Sequence, residues 1–189
     1  MSSGMASVAT TAATAVEPGQ PAIHPVFEKA TCTWQYIVVD PSTGAAAIID
    51  PVLDFDPVTR KVTTASADAL LAIVKDNGYT VERILETHAH ADHLTSAAYL
   101  QRRLAKTQGH APSIGIGRRI GKVQRLFGTR YGIPSDEYDV VFDKLFEDDE
   151  VFTLGNMEAT VIHLPGHTPD HIGYKIGGKA IFLPHSATA

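Results

Sequence analysis

Residues 84 to 97 read ILETHAHADHLTSA, and positions 88 to 93 carry three histidines and one aspartate. His88, His90, Asp92 and His93 follow an apolar run and precede a helix-like pattern. In an extended segment residues two apart point to one side, so the His88 and His90 imidazoles converge. Asp92 and His93 stand where the chain turns toward the helix and face the same pocket from its other flank. Imidazole and carboxylate together suit zinc, iron or manganese. Cys32 is the only cysteine, so the thiolates of a structural zinc finger are missing and no intrachain disulfide can form. Scattered surface histidines, or Asp92 as a mere helix cap, account less well for four such side chains at one strand end. The fold must therefore end a strand here and bring further ligands to it.

A second cluster, HLPGHTPDH, spans residues 163 to 171. His167 sits in a Gly/Pro-bounded loop after a strand, where a loop-borne ligand is expected. His163 lies inside the strand pattern and reads as structural. Asp170 and His171 are candidates for orienting His167 from behind. His24 and His110 have no companions and are expected to do no chemistry.

Between these clusters the pattern alternates. Residues 36 to 39 and 45 to 49 are near-continuous apolar runs around the turn Asp40-Pro41-Ser42-Thr43-Gly44, which predicts two strands covered on both faces. Residues 66 to 79 predict a helix capped by Ser66 and stopped at Gly78, with Leu70, Leu71, Ile73 and Val74 on its apolar side. Residues 81 to 86 form a short strand into the histidines, and 93 to 106 a helix with Leu94, Ala97, Ala98 and Leu104 near one face. A strand at 113 to 116 and a helix at 118 to 127 follow. After the acidic run 147 to 150 come strand candidates EVFTL, MEATVIHL, HIGYKI and KAIFL. This order predicts an α/β class, α+β layered domain.

Composition narrows the partners. Net charge is -5, and the one basic stretch, Arg118, Arg119, Lys122 and Arg125, has the spacing of a solvated helix face. Nucleic acid is therefore not expected as a partner. No apolar run approaches the ~20 residues of a membrane span, so no membrane partner is expected. Residues 1 to 22 are rich in Ala, Ser and Thr, without a basic start or apolar core, and read as a disordered tail. A cytoplasmic location is expected; a mitochondrial one stays open.

THAHADH followed by LPGHT resembles the metallo-β-lactamase superfamily, and both motifs stand in that family's order. With TWQYIVVDPSTGAAAIIDPV and LPGHTPDH, residues 26 to 183 look like the persulfide dioxygenase branch, related to glyoxalase II. The resemblance implies an αββα sandwich with metal at one edge between two sheets. It implies that His88, His90 and His167 match a first metal site, and Asp92 and His93 the second site of a binuclear centre. In the dioxygenase branch a single Fe(II) takes the first motif histidine, here His88, the GHT histidine, here His167, and a later aspartate. The substrate implied is a small-molecule thiol, glutathione persulfide, whose outer sulfur is oxidised to sulfite.

The sequence departs from the pattern where that aspartate is due. Counting from Phe182, the family's Gly-Asp positions hold Pro184 and His185. His185 is a substitute-ligand candidate; coincidence in an unrelated ending, SATA, is the alternative. The family's last metal histidine and its glutathione-binding arginine segment have no counterpart here either. Residues 23 to 189 are thus expected to form a metallo-β-lactamase-like domain lacking its final part. Its strand face of Ile172, Tyr174, Ile176, Ile181 and Phe182 is expected to be poorly covered and to favour self-association. Three functions stay open: an Fe(II) persulfide dioxygenase, a glyoxalase-II-like thioester hydrolase with two metals such as zinc, and an inactive product with residual metal binding.

Overall fold

The two apolar runs form strands, and their unbroken hydrophobicity decides where they lie. β2 (Thr33–Val39) and β3 (Ala45–Ile49) pair antiparallel around the turn at 40–44, Val39 facing Ala46. All five residues of β3 are buried, as a strand apolar on both faces requires. A computed structural model provides the fold and describes residues 19–139, 141–178 and 180–182. β1 (Ala22–Glu28) lies outside β2, its first residue, Ala22, paired with Val39, so the last residue of the expected tail already belongs to a sheet. On the other side of β3, β6 (Thr80–Leu85), β8 (Ser113–Gly117) and β9 (Lys144–Phe146) follow in parallel, giving the order β1-β2-β3-β6-β8-β9.

α1 (Ala65–Asp76) and α2 (Ala97–Gln108) provide the crossovers that parallel strands need. Ala67, Leu70 and Val74 of α1 and Ala97, Leu100 and Leu104 of α2 pack on Ile37, Ile48, Val81, Ile84 and Ile114 of the sheet. The other face of the sheet, through Val38, Ala47, Ile49, Leu85 and Phe146, meets a second sheet. That sheet is the antiparallel meander β10 (Val151–Leu154), β11 (Met157–His163), β12 (Ile172–Ile176) and β13 (Ala180–Phe182). Three layers result, helices on sheet on sheet, as expected of the first three layers of an αββα sandwich. Each large aliphatic side chain buried between them contributes about 1.5–3 kcal/mol.

Several local expectations are corrected. Ser66 does not cap α1: Thr64 holds that position, while the Ser66 amide and hydroxyl donate to the Asp54 carboxylate at 2.9 and 2.6 Å. α2 starts only at Ala97, because Leu94 and Thr95 form a short strand, β7 (Leu94–Thr95), against β4 (Val52–Asp56), which also pairs with β5 (Lys61–Thr63). Leu94 is consequently exposed, and so is Ala98. The later helix, α3 (Ile120–Tyr131), also begins two residues late. Arg118 and Arg119 precede it and pair with Glu147 and Asp148 of the acidic run, so of that basic stretch Lys122 and Arg125 lie on the exposed face of the helix.

The described part of the strand face expected to lie open is covered. Ile172, Tyr174 and Ile176 are at most 1% exposed, because this is the face that β12 turns toward the first sheet. The side chains of Ile181 and Phe182, and the whole of Pro184 and His185, lie outside the described residues, as do residues 1–18 of the tail.

Candidate metal centre

The parallel strands β3, β6 and β8 all end at one edge of the sandwich, the usual place for a site in such a sheet. β3 runs into Asp50, whose amide donates to the Leu85 carbonyl at 2.9 Å and whose φ of 50° turns the chain away. Aspartate is one of the few non-glycine residues that accept this conformation. β6 runs into Glu86, Thr87 and His88. The second sheet is tied to the same point, since the Ile172 amide donates to the Thr87 carbonyl at 3.0 Å. Residues 165–170 form the tight connection between β11 and β12, closed by Leu164 N–H to the His171 carbonyl at 2.9 Å. His167 thereby faces the first motif.

Five imidazoles meet here. The His88 ring centre lies 4.2 Å from that of His90, 4.9 Å from His167 and 5.1 Å from His171. His93 lies 4.1 Å from His90. The sequence thus placed both motifs at one site. Their donor atoms are grouped differently from the expected first set. Among the described residues, two sets of three have all ligand atoms within 4.8 Å of one another: His90, Asp92 and His93, and Asp50, Glu86 and His90. His88 and His167 meet ring to ring, edge on at 88°, but do not close a three-donor set with His90.

Asp50, which the sequence did not single out, organises the site. Its carboxylate accepts from the Thr87 amide (2.8 Å), the Thr87 hydroxyl (2.8 Å) and His90 Nε2 (3.0 Å). The Thr87 hydroxyl has one proton and gives it to Asp50. Its contact with His88 Nδ1 at 3.0 Å must then be accepted from an Nδ1–H, which leaves His88 Nε2 with a free lone pair. His90, bound through Nε2–H, is left with Nδ1. His93 Nδ1 faces Thr33 Oγ1 at 3.4 Å and Asp92 at 3.5 Å, and its buried Nε2 has no partner. His88 and His93 thus each have one nitrogen held from behind and one without a partner, and His90 is held through Nε2, the arrangement that metal-ligating histidines show.

Burial sets the charges. It pushes His88 down to about 3, helped by the charge on neighbouring His90, so His88 is neutral. Burial also lowers His93 and His171. For His90 burial acts in the same direction, but the Asp50 hydrogen bond, the close Glu86 carboxylate and the charge of both overcome it and raise the group to about 10. Burial would raise Asp50, yet the His90 and Thr87 hydrogen bonds hold it below the carboxylate range. Glu86 goes up, through burial first and the Asp50 charge next.

Eight buried side-chain polar atoms have no hydrogen-bond partner among the described residues, and all belong to residues between 86 and 96 or between 168 and 171. They include both Asp170 oxygens and both His171 nitrogens, so neither residue orients His167 through a hydrogen bond, contrary to expectation. Buried polar atoms are nearly always paired in proteins, so a concentration of orphans within an imidazole and carboxylate cluster fits a bound metal ion. Outside the cluster, His163 Nε2–H donates to the Pro169 carbonyl at 3.1 Å, His24 bonds Tyr79 and His110 contacts Gln108, as structural histidines do. Among the described residues no helix is long and apolar enough to cross a membrane.

A two-sheet sandwich with histidines and carboxylates at one edge defines a class of metal-binding folds, and the comparisons identify which. The chain belongs to the metallo-beta-lactamase superfamily, whose profile matches residues 33–181. A beta-lactamase hydrolase-like protein of Xylella fastidiosa is 42% identical over 175 residues, covering 89% of this chain and 39% of that protein. Glyoxylase B2 of Dictyostelium discoideum is 41% identical over 167 residues, covering 85% and 53%. The crystal structure of ETHE1 from Myxococcus xanthus shares the fold, with a TM-score of 0.58 at 22% identity over 82% of this chain and 53% of that one. The chain therefore spans between 39% and 53% of the length of these proteins.

Proposed function

We propose that this chain carries the metal centre of an enzyme acting on a glutathione-linked sulfur compound, and that it works as an Fe(II) persulfide dioxygenase. The observation behind this reading is the His88–His167 pair: two imidazoles from loops 79 positions apart in the numbering (167 − 88), edge on, His88 neutral with Nε2 free. Two histidines of this kind are the imidazole part of a two-histidine, one-carboxylate centre with open positions. Fe(II), when bound there, supplies oxygen activation and a docking point for the outer sulfur of glutathione persulfide. The residues themselves hold and orient. Asp50 fixes His90 directly and His88 through Thr87, and the Ile172–Thr87 hydrogen bond holds the second sheet, and with it His167, against the first motif. The third ligand of such a centre is not assigned, His185 being outside the described residues.

A second reading has its own observation. The donors of His90, Asp92 and His93 already lie within 4.8 Å of one another, which suits a second metal and a thioester hydrolase of the glyoxalase II kind, zinc-dependent or iron-dependent. The name of the 41%-identical relative, a glyoxylase, leans the same way. The two are separated by loading the metal-free protein anaerobically with Fe(II) or with Zn(II), counting ions per chain, and offering glutathione persulfide with oxygen or a glutathione thioester. One iron with oxygen uptake supports the dioxygenase. Two ions with thioester cleavage support the hydrolase, and no bound metal overturns both.

A further inference from the structure

Glu86 occupies a position that stability alone does not explain. It follows β6 directly and is 2% exposed. Three elements hold it: its amide donates to the Gly115 carbonyl at 2.9 Å, its carbonyl accepts from the Tyr174 hydroxyl at 2.9 Å, and its Oε1 accepts from the Thr95 hydroxyl. The backbone is thus fixed from two sides, and the Thr95 contact keeps the side chain inside. Its other oxygen, Oε2, is buried without any hydrogen bond, yet stands 3.4 Å from His90 Nε2. That nitrogen has a single proton, and Asp50 takes it at the shorter distance of 3.0 Å. A buried carboxylate oxygen left without a hydrogen bond is costly. A glutamine would serve the Thr95 contact and the backbone contacts equally well and would bring no buried charge.

We infer that Glu86 is a positioning residue of the metal centre, a second carboxylate behind His90 that, with Asp50, strengthens His90 as a donor and biases the site toward a divalent cation. Carboxylates behind a metal-binding histidine fix its orientation and raise its basicity. Here one imidazole is backed by two, from the ends of two adjacent strands, β3 and β6. Nδ1 of His90 is the nitrogen left to face the cluster, and once an incoming cation displaces its proton, negative charge placed behind Nε2 increases its donor strength. The same two carboxylates leave the inner wall of the site negative, which an incoming dication compensates. The inference rests on the metal-centre reading and adds to it a residue that neither cluster motif contains.

The test uses the whole 189-residue chain and three forms of it: wild type, Glu86→Gln and Glu86→Ala. Each is stripped of metal and titrated with Zn(II) and Co(II) against a chromophoric chelator, and the metal-free forms are unfolded thermally. Affinity should fall by about 10–100-fold in Glu86→Ala, and by a smaller factor in Glu86→Gln, which keeps the Thr95 contact but not the charge. The visible spectrum of the Co(II) form should shift in both. The metal-free Glu86→Gln form should unfold close to the wild-type temperature, since the lost attraction to His90 is offset by the removed burial of a charge. A merely structural role predicts the reverse, lowered unfolding temperature with unchanged affinity and spectrum, and that result overturns the inference while leaving the metal centre standing. A wild-type chain that binds neither ion overturns both.

Discussion

Two aspartates close the opposite ends of the same apolar strand, and they do so in opposite ways. Asp40 ends β2 and starts the turn into β3; Asp50 ends β3. Both are buried, at 2% and 3% exposure. Asp40 spans the two sheets as a closed joint. Its Oδ1 accepts from the Ser42 amide and hydroxyl, both at 2.8 Å, and its Oδ2 from the Thr43 hydroxyl at 2.9 Å and the Asn156 amide at 2.7 Å, across in the β10–β11 turn. Gly155 is bound to that joint: with φ of 56°, it would carry a Cβ 2.5 Å from Asp40 Oδ2. No buried side-chain atom at this end lacks a partner among the described residues, whereas all eight that do lie in the segments around Asp50. One end of the sandwich is built for stability. The other accepts polar burial that stability does not reward, as sites that bind do.

The contrast can be broken by substitution at either end. The largest effect should come at the open end, where His88→Ala or His167→Ala should lower metal affinity by at least about 100-fold, since even residues behind the ligands cost 10–100-fold. Metal titration of each variant checks this, and unchanged affinity in either would remove that histidine from the centre. At the closed end, Asp40→Ala removes four hydrogen bonds to a buried carboxylate that join the β2–β3 turn to the β10–β11 turn, and should cost about 2–4 kcal/mol. Thermal unfolding should show it as a fall of roughly 5–15 °C for a domain of this size, with metal affinity of the folded fraction unchanged.

A smaller effect sharpens the same contrast through pH. Burial by itself would raise the Asp40 carboxyl, but hydrogen bonds from Asn156, Ser42 and Thr43 outweigh it and hold the group below the ordinary carboxylate range. The native state then binds fewer protons than the unfolded one around the unfolded value of about 3.9. The contribution of Asp40 is present in full above that value and is lost as pH falls through the lower native one. Wild type should therefore lose more stability than Asp40→Asn on acidification through this window. Parallel unfolding curves for the two proteins would show that Asp40 carries no such share.

The strands were legible because their apolar runs are local. The residues of HAHADH were legible because one short segment supplies most of a donor cluster, and His167 because a Gly/Pro-bounded loop marks a strand end. Asp50 and Glu86 were not. IIDPV reads as a strand end before a turn, and Glu86 as the last residue of a strand: the Asp50–His90 contact depends on parallel pairing of β3 with β6, and the Glu86–His90 contact on how the chain folds back after β6, neither of which spacing reveals. For Asp50, a carboxylate directly after an all-apolar strand was the available signal. Leu94 and Ser66 misled for a related reason: helical pattern was read through residues that the small β4–β5–β7 sheet and Asp54 had claimed.

Asp50 holds two histidines at once, His90 directly and His88 through Thr87. The most direct measurement is a chelator-competition titration with Zn(II) on metal-free wild type, Asp50→Asn and Asp40→Asn. With asparagine at position 50, an N–H replaces an oxygen that Thr87 donates to. The Thr87 hydroxyl then accepts there and donates to His88 Nδ1, which moves the His88 proton onto Nε2. Affinity in Asp50→Asn should fall by about 10–100-fold or more, while Asp40→Asn should bind as wild type does and only unfold earlier. Wild-type affinity in Asp50→Asn, or an equal loss in Asp40→Asn, would contradict the division of the sandwich into a structural and a metal-holding end.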